Sequence, residues 1–233
     1  MRFPVLLLGV YALAYVSSSR LGKHKNISQR GLEILRNGSY TYAVILNYFG
    51  DHCFRVQSGE LSLLVNPSNN RFKGDVVLRT LTSTAAMGQP ANEIVFPGEY
   101  EIQGIVVKGI PISAESTEKF LKTIYAVLWE EMRLVFLGHL SKPVDASIIE
   151  ELGEADIVFI PTGDDHFILP EAALKLVKQL EPKLVVPSYA KNAKNANEFM
   201  KVFGQKAEPQ EKYVFKKKDL MGKKSEVILL QTT

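Results

Sequence analysis

From residue 44 onward the chain breaks into apolar runs too short for helices, each closed by glycine, serine or asparagine, and this punctuation commits its first half to β-sheet. Val44-Ile45-Leu46-Asn47-Tyr48-Phe49 passes through Gly50-Asp51-His52 into Cys53-Phe54-Arg55-Val56-Gln57. Ser58-Gly59-Glu60 then turns the chain into Leu61-Ser62-Leu63-Leu64-Val65. Short apolar runs separated by such residues read as adjacent antiparallel strands. A further strand covers Val76 to Thr80, Ile94-Val95-Phe96 precedes Pro97-Gly98-Glu99-Tyr100, and Ile102 to Ile110 alternates around Gly104 and Gly109.

The second half adds helices. Thr123 to Trp129 and Leu134 to Leu137 read as a hairpin turned by Glu130-Glu131-Met132-Arg133. A short helix over Asp145 to Leu152 and a buried strand over Asp156 to Ile160 follow. A stronger helix runs from Pro170 to Leu180, where Pro170 suits the first helical position and Ala173, Val177 and Leu180 supply an inward face. Leu184-Val185-Val186-Pro187 is a strand, Asn195 to Phe203 a last helix, and Tyr213-Val214-Phe215 with Val227 to Leu230 are expected to close the sheet. Two strand-rich halves with interspersed helices fit an α/β (α+β) fold, a four-layer αββα sandwich. The lysines at 216 to 218 and 223 to 224 read as the solvated end of a hairpin turning at Met221-Gly222.

Composition narrows the function classes. A hydrophobic share of 46% with 23% charged residues is that of a packed globular chain. A net charge of +3 is too small to argue for a nucleic-acid partner. The lone Cys53 excludes an internal disulfide and reads as a small core residue. Trp129 is expected between sheets. Residues 1–43 form an N-terminal extension ahead of a domain at 44–233. Phe3 to Val16 is an apolar run behind Arg2, followed by Ser17-Ser18-Ser19, and has the outline of a secretory signal. Two readings stand for it: an exported or membrane-anchored chain through residues 3–16, or a cytoplasmic one whose true start lies downstream.

Several segments together resemble the metallo-β-lactamase fold superfamily, nearest its branch of lactonase-like hydrolases and many small bacterial proteins. They are Tyr48-Phe49-Gly50 with Cys53-Phe54, Leu63-Leu64-Val65-Asn66-Pro67, Asp75-Val76-Val77-Leu78 and Pro97-Gly98-Glu99-Tyr100-Glu101-Ile102, then Leu137-Gly138, Asp156 to Pro161 with Gly163, and Leu180 to Pro187. The resemblance implies the sandwich fold and, in catalytic members, a zinc-dependent hydrolase. There a His-x-His-x-Asp-His loop follows the third of these segments, because two close ions need three or four protein ligands each and an open position for water.

Here the corresponding positions are Leu81, Ser83, Ala85 and Ala86. The next ligand position falls near Ala114, the bridging aspartate is His139, the last histidine is Ser188, and the acidic residue before Pro67 is Asn66. A full zinc ligand set contributes on the order of 10 kcal/mol or more, which hydroxyls and one imidazole do not approach. No catalytic residue carries over, and no cofactor is expected.

Four histidines remain: His24, in the extension, and His52, His139 and His166 on loops at strand ends. His52, His139 and His166 form with Asp165 the one candidate for a rebuilt metal site, which would take Zn or an iron ion. The residue reading is therefore a non-catalytic small-ligand-binding or scaffold protein with a cleft lined by Asp51, His52, Ser83, His139 and Ser188. Two alternatives stay open: a metal-dependent hydrolase of lactones, esters or phosphoesters built on His52, His139 and His166, and a protein-interaction or membrane-tethered module. At Pro97-Gly98-Glu99-Tyr100 two readings also stand, a type II turn and a turn that places Glu99 or Tyr100 near the cleft.

Overall fold

The computed structural model of the chain describes residues 42–162, 166–189 and 193–233, with residues 193–195 described by backbone alone. The N-terminal extension, apart from residues 42 and 43, and Asp165 lie outside the described residues.

Three strands, β1 (Val44–Tyr48), β2 (Phe54–Ser58) and β3 (Leu61–Val65), form the antiparallel meander that the punctuation implies. In β1 and β2 every second residue is buried, the period of a sheet with one face on a core. The chain then runs parallel: β4 (Val76–Leu78) lies beside β3, and β6 (Glu93–Ile94) beside β4. Between them β5 (Leu81–Ser83) pairs instead with the start of β9.

The second sheet contains β7 (Gly98–Ile102), β8 (Ile105–Pro111), β9 (Phe120–Trp129) and β10 (Met132–Phe136) as an antiparallel run. It continues through β11 (Ile157–Thr162), β12 (Leu184–Tyr189) and β14 (Glu226–Val227) in parallel. The strand orders are β13-β1-β2-β3-β4-β6 and β14-β12-β11-β10-β9-β8-β7, where β13 is Lys212–Phe215. Three helices are described: α1 (Ala146–Leu152), α2 (Pro170–Leu180) and α3 (Ala193–Phe203).

Two buried clusters hold the layers together. Between the sheets, Leu46, Tyr48, Phe54 and Leu78 meet Val107, Val127, Trp129, Phe136 and Phe159. On the outer face of the second sheet, Val158, Ile160 and Val185 pack under Leu152, Ala173, Val177 and Phe199 of the helices. Strands β11 and β12 are covered on both faces, which is why every one of their residues is buried. The fold is thus a mixed α/β sandwich of two sheets, and the described helices all pack on the second one.

Three local expectations are corrected. The two C-terminal runs do not close one sheet: β13 edges the first and β14 the second. The lysine-flanked Met221-Gly222 is accordingly no hairpin end; a 3-10 turn over Lys217–Leu220 carries the chain between sheets, with Lys217 paired to Glu131 and Lys223 to Glu226. Nor is Pro97-Gly98 a type II turn. Gly98 opens β7 at φ 144°, far from the value of about +80° that such a turn requires. The Tyr100 hydroxyl donates to the Phe96 carbonyl and holds the bend in place of a turn hydrogen bond.

Candidate functional site

The carboxyl ends of the parallel strands in both sheets meet at one end of the sandwich. That rim is where open α/β architectures place their ligands. Four loops converge there: 49–53 after β1, Asn66 after β3, Thr80 after β4, and Gly138-His139 after β10. The end of β12 at Ser188 completes the group.

Backbone geometry aims the first two. Gly50, Asp51 and His52 all take positive φ, at 81°, 47° and 63°, closed by Cys53 N–H donating to the Gly50 carbonyl at 2.8 Å. The left-handed turn drives the His52 ring inward, 5% exposed, while Asp51 faces solvent. The His52 Nδ1 lies 2.7 Å from the Ser188 Oγ. Asn66 is also left-handed at φ 49°, a conformation its short amide tolerates.

Asn66, Thr80 and His139 form a relay. Asn66 Oδ1 accepts the Thr80 N–H at 2.9 Å, and Asn66 Nδ2 donates to Thr80 Oγ1 at 2.8 Å. Thr80 Oγ1 in turn is 2.8 Å from His139 Nδ1. The Thr80 hydroxyl also lies 3.1 Å from Asn66 Oδ1, and its oxygen can accept two hydrogen bonds, so the relay accommodates either His139 tautomer. Burial first, and then the charge of Lys122, push the His139 imidazole down to about 4, so it is neutral near pH 7. An aspartate at position 66 could accept the backbone N–H but not supply the donor. Asn66 does both.

The His52 and His139 rings are 5.7 Å apart between centroids, and Phe167 closes over them at 4.2 Å from His52 and 6.2 Å from His139. Below lies a narrow pocket walled by Phe54, Val65, Phe136 and Phe159, with space for about one water molecule. A third staple comes from Glu115. Its carboxylate accepts from Lys122 Nζ at 2.7 Å, from the Ser141 hydroxyl at 2.6 Å and from the Lys142 N–H at 2.8 Å. Burial would raise this carboxyl, but the hydrogen bonds from Lys122, Ser141 and Lys142 outweigh it and hold it below the usual range.

Of the residues expected at the cleft, His52, His139 and Ser188 come together. Ser83 is exposed on β5, opposite Phe120, and Asp51 is on the outer side of its turn. His166 is an exposed turn residue, and its neighbour Phe167 supplies the contact to the imidazoles. Glu99 is exposed on β7. Sequence reasoning passed over Thr80, Glu115 and Phe167. For Glu115 a signal existed: it follows directly the Ala114 position where a metal ligand was sought.

The donor set does not fit the inherited two-metal centre. Leu81, Ala85 and Ala86 carry no donor atom, and Leu81 and Ala85 are exposed. Among the described residues, no group of three or more His, Cys, Asp or Glu stands close enough to hold a metal ion. Cys53 is fully buried, and burial pushes its thiol up to about 11.

A family model described as a beta-lactamase superfamily domain matches residues 45–189, more than half of the chain. This chain belongs to the metallo-β-lactamase superfamily. Among solved structures it is similar to TM0207 of Thermotoga maritima, of the metallo-beta-lactamase superfamily, with a TM-score of 0.65 and 20% identity over 80% of this chain and 98% of that one. It is similar to Igni18, a metallo hydrolase from Ignicoccus hospitalis, with a TM-score of 0.57 and 19% identity over 82% of this chain and 96% of that one. The metallo-beta-lactamase fold protein YhfI of Bacillus subtilis gives a TM-score of 0.55 at 11% identity, over 75% of this chain and all of that one. No curated protein matches the sequence. At these identities the likenesses speak to fold alone. Among the described residues no helix is long and apolar enough to cross a membrane.

Proposed function

We propose that this chain is a non-catalytic member of its superfamily, a small-ligand-binding or scaffold protein. The observation that carries the reading is the Asn66–Thr80–His139 relay, seconded by His52 with Ser188. Loop ends that serve a hydrolytic centre in catalytic relatives are here hydrogen-bonded to one another. Replacing several ligands by apolar or hydroxyl groups removes the drive to hold an ion. The paired polar groups meet the need for satisfied hydrogen bonds at a buried strand end.

Elemental analysis of protein purified without chelator tests this, together with assays on a lactone, a p-nitrophenyl ester and bis(p-nitrophenyl) phosphate. The expected result is zinc, iron and manganese far below one per chain and no turnover. Stoichiometric metal that is lost in His139→Ala would overturn it. That outcome would favour the competing reading, a hydrolase with a rebuilt centre, whose support is the 5.7 Å approach of the His52 and His139 rings.

A further inference from the structure

A larger cavity lies away from the histidine pair. It has a volume of about 370 Å³, within the range of small-molecule sites, and opens between the loop at 67–74 and the entry to β6 at 90–93. Its floor is Val77 of β4 with Arg79 just past the strand's end.

The Arg79 guanidinium is held in place there. Its Nε pairs with Glu93 Oε1 at 2.5 Å and its Nη1 donates to the Pro67 carbonyl at 2.7 Å. Among the described residues Nη2 has no hydrogen-bond partner, which leaves its two donors on a fixed plane. A guanidinium pinned along one side and unfilled along another is pre-organised for a carboxylate or phosphate oxygen. Lys73, on the same cavity, makes no ion pair among the described residues, and the carboxylate lining it, Glu93, is already engaged by Arg79. The local balance is cationic.

The other walls are flat and apolar. Phe72 also lines the cavity and stacks on Phe49 at 4.6 Å, with the Arg55 guanidinium 5.1 Å from the Phe49 centroid, so the Phe72 ring is supported from behind. Pro67 and Pro90 add rigid surface. The two walls are tied: Asn92 Nδ2 donates to the Gly74 carbonyl at 3.0 Å, and the Asn92 carbonyl accepts the Val77 N–H at 2.8 Å. Gly74 has no room for a side chain, since a Cβ there would sit 2.7 Å from that of Leu64. The cavity is thus built on sheet and braced loops.

We propose that this cavity binds a small aromatic anion, a planar ring carrying a carboxylate or a phosphate. The anion meets Arg79 Nη2 and Lys73 Nζ, and the ring lies against Phe72 and the prolines. The inference is independent of the fate of the histidine cleft, because it shares no residue with that pocket.

Titration of the full chain followed by amide NMR tests it. The probes are 4-hydroxybenzoate and adenosine 5′-monophosphate, with 4-hydroxybenzamide and adenosine as uncharged counterparts. Saturable shifts confined to residues 67–74 and 90–93 are expected for the carboxylate or the phosphate probe. The uncharged counterpart and the Lys73→Glu variant should each bind about tenfold more weakly, the scale of one lost charge-assisted hydrogen bond. Lys73 is exposed and its ammonium has no ion pair among the described residues, so that variant folds. No saturable shift at millimolar probe, an equal response to the uncharged ring, or shifts centred on His52 and His139 would each overturn the proposal. Metal content reports separately on the reading of the cleft.

Discussion

Gly138 lies so close to Thr80 that a Cβ built on it would sit 2.2 Å from the Thr80 Cβ and 2.3 Å from its hydroxyl oxygen. Gly138 also holds φ at 57°. The glycine therefore lets the β10 loop close onto the end of β4, which brings His139 within reach of Thr80. Gly138→Ala meets both a steric wall and a left-handed backbone, and its expected cost is about 2–3 kcal/mol. Urea unfolding should show a lower midpoint at unchanged slope. Thr80→Ala will not rescue the variant, because the nearest obstructing atom is the Cβ that alanine retains.

Thr80→Val keeps the shape of the side chain and deletes the relay. Asn66 Nδ2 and His139 Nδ1 then face a methyl group, and leaving buried polar atoms unpaired costs about 1–3 kcal/mol. Thr80→Ser should retain most of the stability. Equal losses in the two variants would show that the methyl, and not the hydroxyl, matters.

The His139 imidazole sets a pH dependence whose sign follows from its depressed proton affinity. Unfolded, the ring titrates near about 6.5, whereas burial and Lys122 bring it to about 4 in the fold. Between those values the unfolded chain takes up a proton that the folded chain refuses, so stability falls as pH drops from about 6.5 to about 4. The loss is at most on the order of 3 kcal/mol, and above this window the histidine contributes no slope. Unfolding free energies of the wild type and His139→Gln across that range should converge toward acid pH. Parallel curves would refute the assignment.

Glu115→Gln tests the staple on the 138–142 loop. The amide still accepts one hydrogen bond but loses the ion pair with Lys122 and one of its acceptor oxygens. Exchange of the Ser141 and Lys142 amide hydrogens should accelerate about tenfold or more, in line with a lost charge-assisted contact. Unchanged exchange at both amides would show that the loop is held by its packing alone.

Much of the sandwich was legible in the sequence. The meander from Val44 to Val65, the helix beginning at Pro170 and the doubly buried runs at Ile157 and Leu184 all follow from burial periodicity and turn residues. Periodicity reports which face of a strand is covered but not which neighbour it takes. That is why the runs at Tyr213 and Val227 could not be assigned to separate sheets. The rim was legible in part. His52, His139 and Ser188 could be placed there by their position after strands. The partners that fix them are Thr80 and Phe167, a threonine and a phenylalanine with no motif of their own. Their roles depend on contacts between segments far apart in the chain: Thr80 meets the ring of His139, and Phe167 lies over that of His52.

The final stretch past β14 crosses the open edge of the sandwich. Ile228 N–H reaches the Val185 carbonyl, Leu230 pairs with Gln210, and Thr232 bridges to Tyr48 beside the His52 turn. Tyr48 and Tyr189 exchange hydrogen bonds with each other, and the Tyr189 hydroxyl donates to the Leu230 carbonyl at 2.5 Å. The carboxyl end thus laces the two layers together like a drawstring whose knot is next to the imidazoles. Removing Gln231 to Thr233 would strip the Tyr48 carbonyl of its partners at Thr233 and so loosen the histidine pocket from a distance.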